Sequence, residues 1–256
     1  MKKSPFPLHT AAHLGDKNGA KALVKKLGPN PTDDQGRTPL HYACVSSQLK
    51  MVEYLVTKCG ANVNLCDKSG VTPVLLASSK GSFEVFHFLM VSHCSLVARD
   101  LSGNNVVHYL VSSKFFTTKQ KEVGLHMLIE RAVSIDLPNN NGDTPLHLAC
   151  KASADSVVRI LLEHKADPNA ANKSGDTPVH VVSSVPGALA CLLKLAATGT
   201  ADMHRRNIFK MTPQDVAKSV GNLPVYQYLV KNYPLKGDAA GGNMGNWPLS
   251  QLIRIF

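Results

Sequence analysis

Residues Asn141–Cys150 read NGDTPLHLAC, and the reading of this stretch decides the fold. Ser174–Ser183 repeat it as SGDTPVHVVS, and Gln35–Cys44 as QGRTPLHYAC. Aligned on its proline, the phrase places Pro7, Pro39, Pro73, Val106, Pro145, Pro178 and Pro213 in one register. The intervals are 32, 34, 33, 39, 33 and 35 residues. Self-similarity at a fixed period near 33 marks a chain built from stacked copies of one supersecondary unit.

The letters of the unit have separate physical jobs. Gly142 suits a turn that needs positive φ, which a residue without Cβ adopts at little cost. Thr144 can cap a helix with its hydroxyl, and Pro145 fits the first helical position, where a missing N–H costs nothing. Leu146, Ala149 and Cys150 fall on one face, two of them small enough for a neighbouring helix to approach. A second helix follows, with Val157, Val158, Ile160 and Leu161 on its apolar side. Ala166-Asp167-Pro168-Asn169 then breaks it. A helix–turn–helix of this size cannot bury its apolar face alone, so neighbouring copies supply the core.

The phrase TPLH, the following Ala-Cys, and VVRILLEHKADPNAANKSGDTP resemble the ankyrin repeat, over about 230 of the 256 residues. The resemblance implies an all-α fold: an ankyrin-repeat solenoid of stacked helix–turn–helix units with projecting hairpin loops. The copies are expected at about 5–32, 33–66, 67–99, 100–138, 139–171, 172–206 and 207–234, forming an array over 1–234. Four copies depart from the pattern. The first opens with PFPLHTAAHLGD and lacks the threonine, as suits a cap. The third has Leu75 where the histidine stands elsewhere. The fourth has Asn105, Val106 and Val107 for Thr-Pro-Leu, and about six extra residues near Ser113–Glu122. The seventh, MTPQDVAKSVG, puts Gln214 and Asp215 where Leu-His would be, again as suits a cap.

Residues 235–256 read as a Gly-rich linker and a short tail. Leu249, Leu252, Ile253 and Phe256 carry a helical apolar spacing. The tail either folds back on the last copy, begins a further region of a longer protein, or serves as a short ligase-recruiting motif.

Net charge is +10, dispersed along the chain in several clusters. No segment approaches the roughly 20 apolar residues of a membrane helix, and no secretory leader is read at the start. The six cysteines form no CxxC pair, and Cys44 and Cys150 share one small-residue position. Buried thiols in a reducing compartment are expected, cytoplasmic or nuclear. Catalytic motifs are missing: neither a phosphate loop nor a nucleophile elbow is present. His9, His41, His108, His147 and His180 share one repeat position. The resemblance makes them structural, tying adjacent loops by hydrogen bonds, so no metal, cofactor or catalytic residue is assigned.

Function is then expected at the positions that the repeat leaves free, the loop tips and the exposed ends of the first helices. The candidate partner-binding residues are Arg37, Val45, Lys68, Val71, Lys80, Leu101, Asn104, Phe115, Phe116, Asn140, Asp143, Lys151, Lys173, Asp176, Ile208, Phe209 and Lys210. Ile208-Phe209 read either as anchors at a binding edge or as an inward-packing cap. Phe115-Phe116 read either as a finger or as rings tucked under the fourth copy. The expected function is a non-catalytic protein–protein interaction scaffold or adaptor, monomeric, binding a protein with an acidic surface or peptide, with no small-molecule substrate. The alternatives are a targeting module of a longer signalling enzyme or ubiquitin-ligase adaptor, and binding of anionic membrane or nucleic acid through the dispersed basic residues.

Overall fold

Each recurring Thr-Pro opens a helix. The computed structural model describes residues 5–80 and 82–235, and among them all regular structure is helical. The linker and tail expected over 235–256 therefore lie, from 236 on, outside the described residues. Fourteen helices follow one another in short pairs among the described residues, and the chain forms two compact units, Met1–Leu148 and Ala149–Phe256.

In the first unit the opening helices are α1 (Pro7–Leu14), α3 (Pro39–Val45), α5 (Pro73–Lys80) and α7 (Val106–Ser112), each packed on the next. Each also packs on its own second helix: α2 (Lys17–Leu27), α4 (Leu49–Glu53), α6 (Phe83–Val91) and α8 (Thr118–Glu130). A wider π-helical turn, Tyr54–Lys58, extends α4. The residue after each opening proline, or after Val106 in the fourth copy, is Leu8, Leu40, Val74 or Val107, and all four are buried. Helix α9 (Pro145–Lys151) contains the boundary between the units. In the second unit α10 (Asp155–Glu163), α12 (Leu189–Ala197) and α14 (Leu223–Asn232) pack in succession, as do α11 (Pro178–Ser184) and α13 (Pro213–Ser219).

Close approach of the opening helices rests on small side chains. Ala11-Ala12, Ala43-Cys44 and Ala77-Ser78 occupy one register and are buried. The fourth copy breaks this rule with Leu110 and Val111, and the space comes from its partner helix. A Cβ on Gly124 of α8 would lie 3.1 Å from Leu110 Cδ1 and 3.2 Å from Phe86 Cε1. Bulk moved onto α7 is thus removed from α8.

One local cap recurs at the start of the opening helices. Thr38, Thr72, Thr144, Thr177 and Thr212 all precede an opening helix and all are buried. Thr38 Oγ1 lies 2.8 Å from His41 Nδ1, which also accepts the Thr38 backbone N–H at 3.0 Å. Thr144–His147 and Thr177–His180 repeat the pair at 2.9 Å. In the fourth copy Asn105 replaces threonine, and its Oδ1 sits 2.7 Å from His108 Nδ1. In the seventh, the Asp215 carboxylate accepts from both Thr212 N–H and Oγ1–H, at 2.9 and 2.8 Å.

Candidate interaction surface

In His41 and His180, where Nδ1 accepts from the capping threonine, the opposite ring nitrogen carries the proton, and the same nitrogen reaches the next loop from His9 and His108. His9 Nε2 donates to the Arg37 carbonyl at 2.8 Å, and His41 to that of Val71 at 3.0 Å. His108 donates to Asp143 and His180 to Met211, each at 3.1 Å. Burial disfavours the charged ring and lowers the pKa of His41, His108 and His180. These side chains are loop ties, and their chemistry is spent on the fold.

Each loop tip is a closed five-residue turn built the same way. Asp33 Oδ1 accepts the N–H groups of Gln35 and Arg37, both at 2.8 Å. Asp67 does so for Ser69 and Val71, Asn139 for Asn141 and Asp143. In the second unit Asn172 serves Ser174 and Asp176, and Asn207 serves Phe209 and Met211. A residue at positive φ closes the turn: Gly36, Gly70, Gly103, Gly142 and Gly175, but Lys210 in the last tip, at φ 60. Adjacent tips are joined through the backbone. Lys68 N–H donates to Gln35 O at 2.9 Å, Leu101 to Ser69 and Asn140 to Ser102 at 2.8 Å. In the second unit Ile208 N–H donates to Ser174 O at 3.1 Å. A Cβ on Gly175 would come within 2.9 Å of that Ile208 nitrogen, so glycine is required there for space as well as for φ.

This framework sorts the expected contact residues. In the first unit Arg37, Val45, Lys68, Lys80, Leu101, Phe115 and Asn140 are exposed, Leu101 to 72% and Phe115 to 68%. In the second, Lys151, Lys173, Ile208, Phe209 and Lys210 are exposed. Ile208 and Phe209, at 64% and 67%, do not pack inward.

Two expectations need correction. Val71 is buried, and it contributes its backbone carbonyl to His41 rather than a side chain to the surface. Phe116 is also buried, its ring 5.6 Å from Phe83 and 6.0 Å from Phe86, so the insertion splits its aromatic pair into one anchor and one exposed ring. Asn104, Asp143 and Asp176 are half-buried. Asn104 binds Asp100 and Asn139, and Asp176 accepts from Asn207 at 2.8 Å. The Asp143 backbone bonds both Asn139 and His108.

The insertion is well braced. Ser113 Oγ–H donates to Ser79 O at 3.0 Å, and Lys121 Nζ to Val111 O at 3.0 Å. Thr117 and Gln120 form a capping box on α8. Phe115, with Lys114 beside it, therefore stands on a fixed base. Several exposed apolar residues lie outside the expected set, among them Val97, Val91 and Leu14, the last 68% exposed at the end of α1. It sits seven residues after Pro7, as Lys80 sits seven after Pro73; its register was legible once the first copy was treated as more than a cap.

Among the described residues no group of histidine, cysteine or carboxylate side chains is arranged to hold a metal, and no helix is long and apolar enough to cross a membrane.

Comparison with known proteins agrees with this architecture. Models described as ankyrin repeats match residues 2–67 (three copies) and 128–182 (many copies). Human transient receptor potential cation channel subfamily A member 1 is 26% identical over 203 residues, which cover 79% of this chain and 18% of the channel. Ankyrin repeat protein nuc-2 of Neurospora crassa is 27% identical over 226 residues, 88% of this chain and 17% of that protein. The chain thus spans under a fifth of the length of either relative. Among solved structures, the human ASB11 ankyrin repeat domain aligns with TM-score 0.71 at 24% identity, covering 86% of this chain and 96% of that one. The ankyrin repeat domain of Bcl-3, a member of the IkappaB protein family, aligns with TM-score 0.69 at 28% identity, covering 88% and 100%.

Proposed function

Because the chain is an ankyrin-repeat protein, a kind of array that generally binds other proteins, we propose that it is a non-catalytic scaffold or adaptor. Its partner is a protein that offers an acidic surface or peptide. The observation that carries this reading is the division of labour at the loop tips. Framework polar groups bond to one another, whereas Lys68 and Leu101 in the first unit, and Ile208 in the second, are exposed on tied backbone, with Lys173 exposed in the tip before Ile208. Lysines beside exposed apolar side chains suit a partner with carboxylates around an apolar contact. Lys80 and Phe115 extend the same chemistry onto the helix ends of the first unit.

The test is affinity capture on the immobilised full chain, compared with a Lys68→Glu/Leu101→Asp/Phe115→Ala variant that melts like the parent. A partner held by the parent and released by the variant supports the reading. Equal capture by both removes this surface from it. A second reading, a targeting module within a larger signalling polypeptide or ligase adaptor, draws on the small share of each relative that the chain covers.

A further inference from the structure

A shallow groove runs between α4 and α6, on the second-helix side of the first unit and away from the loop tips. Its floor is apolar, formed by Leu49, Phe83, Phe88 and Val91. Two carboxylates, Glu53 and Glu84, line it as well. Val91 is 51% exposed, and Phe83 and Phe88 are half-buried.

This face differs from the corresponding faces of α2 and α10. Ten, fourteen and eighteen residues after the opening proline, those two helices present an outward stripe of side chains, whereas at α12 the count falls on the buried Ala188 and Leu192. In α2 the stripe is Lys17, Lys21 and Lys25; in α10 it is Asp155, Arg159 and Glu163. All six are exposed and charged, as a solvated helix face should be. In α6 the same positions are Phe83, His87 and Val91, and in α4 with its π-helical extension they are Leu49, Glu53 and Thr57. Phe83 is accounted for within the unit, its ring 5.6 Å from Phe116 and 5.9 Å from Phe86. The buried face of α6 is otherwise complete with Val85, Phe86, Leu89 and Met90, which leaves Val91 51% exposed. Apolar side chains set where solvated charge normally stands mark a contact surface.

The carboxylates narrow the occupant. The chain has 28 Lys and Arg against 18 Asp and Glu, yet among the described residues neither Glu53 nor Glu84 is in an ion pair. A purely apolar partner would strip water from both without compensation, which is costly. A partner that brings cations restores the balance at the rim while filling the floor.

We infer that the α4–α6 groove docks a basic segment of another protein, one that sets apolar side chains on Phe88 and Val91 and a lysine or arginine against Glu53 and Glu84. This surface is separate from the loop tips and opposite to them in charge preference, so one chain could hold an acidic partner on one face and a basic segment on the other.

The experiment is selection of a displayed random-peptide library on the full chain, with the Glu53→Lys/Glu84→Lys variant as counter-target. Glu84 is exposed and Glu53 half-buried, and matching thermal melts check the fold. The expected result is enrichment of peptides that combine Lys or Arg with apolar residues. Their affinity should fall about tenfold or more on the charge-reversed variant and on Val91→Asp, while Lys68→Glu/Leu101→Asp leaves them bound. Failure to enrich on the parent over the variant overturns the proposal, as does enrichment of acidic peptides. Competition by a synthetic Trp247–Phe256 peptide would assign the groove to the chain's own tail, and self-association abolished by Val91→Asp would assign it to a second copy; either overturns the inferred partner.

Discussion

The Thr72 hydroxyl is buried without a hydrogen-bond partner, and Leu75 stands where a histidine would have met it. At Thr38, Thr144 and Thr177 the same hydroxyl faces a histidine nitrogen three residues on. Leu75 fills the space, as its full burial shows, but offers no acceptor. Thr72→Val should therefore leave stability unchanged or raise it, since an unsatisfied buried hydroxyl is removed at constant shape. Thr38→Val should lower it by about 1 kcal/mol, since a made bond is lost. Urea melts of the two variants decide the matter; equal losses would show that Thr72 is satisfied after all.

Acidification should loosen the array through its loop ties. The folded pKa of His41, His108 and His180 lies below the usual histidine value because burial penalises the charge. The unfolded chain then takes up protons first as pH falls below about 6.5, while the folded rings stay neutral. Their contribution is complete above that pH and is lost progressively down to the folded pKa values. The urea midpoint at pH 5 should accordingly lie below that at pH 7.5. His108→Gln, which gives up one titrating ring, should reduce the difference between the two pH values.

The last loop tip carries avoidable strain. Lys210 adopts φ 60 at the position where the other tips have glycine. Lys210→Gly should stabilise the second unit by about 1 kcal/mol, the usual cost of a side chain in left-handed backbone. A raised melting temperature is the readout. If the exposed Lys210 also contacts a partner, the same variant will bind more weakly while folding better.

The two neighbouring phenylalanines of the insertion should behave as opposites. Phe116→Ala opens a cavity beside Phe83 and Phe86 and should cost about 3–5 kcal/mol. Phe115→Ala, at a surface position, should stay within about 0.5 kcal/mol of the parent. Comparable losses in both would mean that the exposed ring is packed in solution.

Thiol labelling should follow burial. Burial pushes the Cys94 and Cys191 thiols up to about 11 and also raises those of Cys44 and Cys150 well above the usual thiol range. Cys66 is exposed. An alkylating reagent at pH 7.5 should modify Cys66 well before those four, as peptide mass mapping over time can follow. Early modification of Cys44 or Cys150 would contradict the packing described for the opening helices.

The framework was legible in the sequence because its letters recur. Thr-Pro, the histidine and the Ala-small pair each perform one local task, and repetition in register turned weak propensities into a firm reading. What stayed hidden depends on neighbours far along the chain. The inward turn of Phe116 depends on Phe83 and Phe86 of the preceding copy, and the tolerance for Leu110 depends on Gly124. Val71 looked like a surface letter because it flanks a loop tip, yet its place beneath the turn buries it. The α4–α6 groove lies outside the recurring phrase, on second helices whose letters vary from copy to copy. Its trace in the sequence is the contrast of His87 and Val91 with Lys21 and Lys25 at the same positions.

The turn bonds at the loop tips come from the first residue of each tip and from the backbone, and the second and third residues supply no side chain to closing the turn. Lys68, Leu101 and Ile208 can therefore be rewritten by mutation at almost no thermodynamic penalty. Natural variation there should register in who is recognised, while melting curves stay where they are. A survey of folding alone would pass over it.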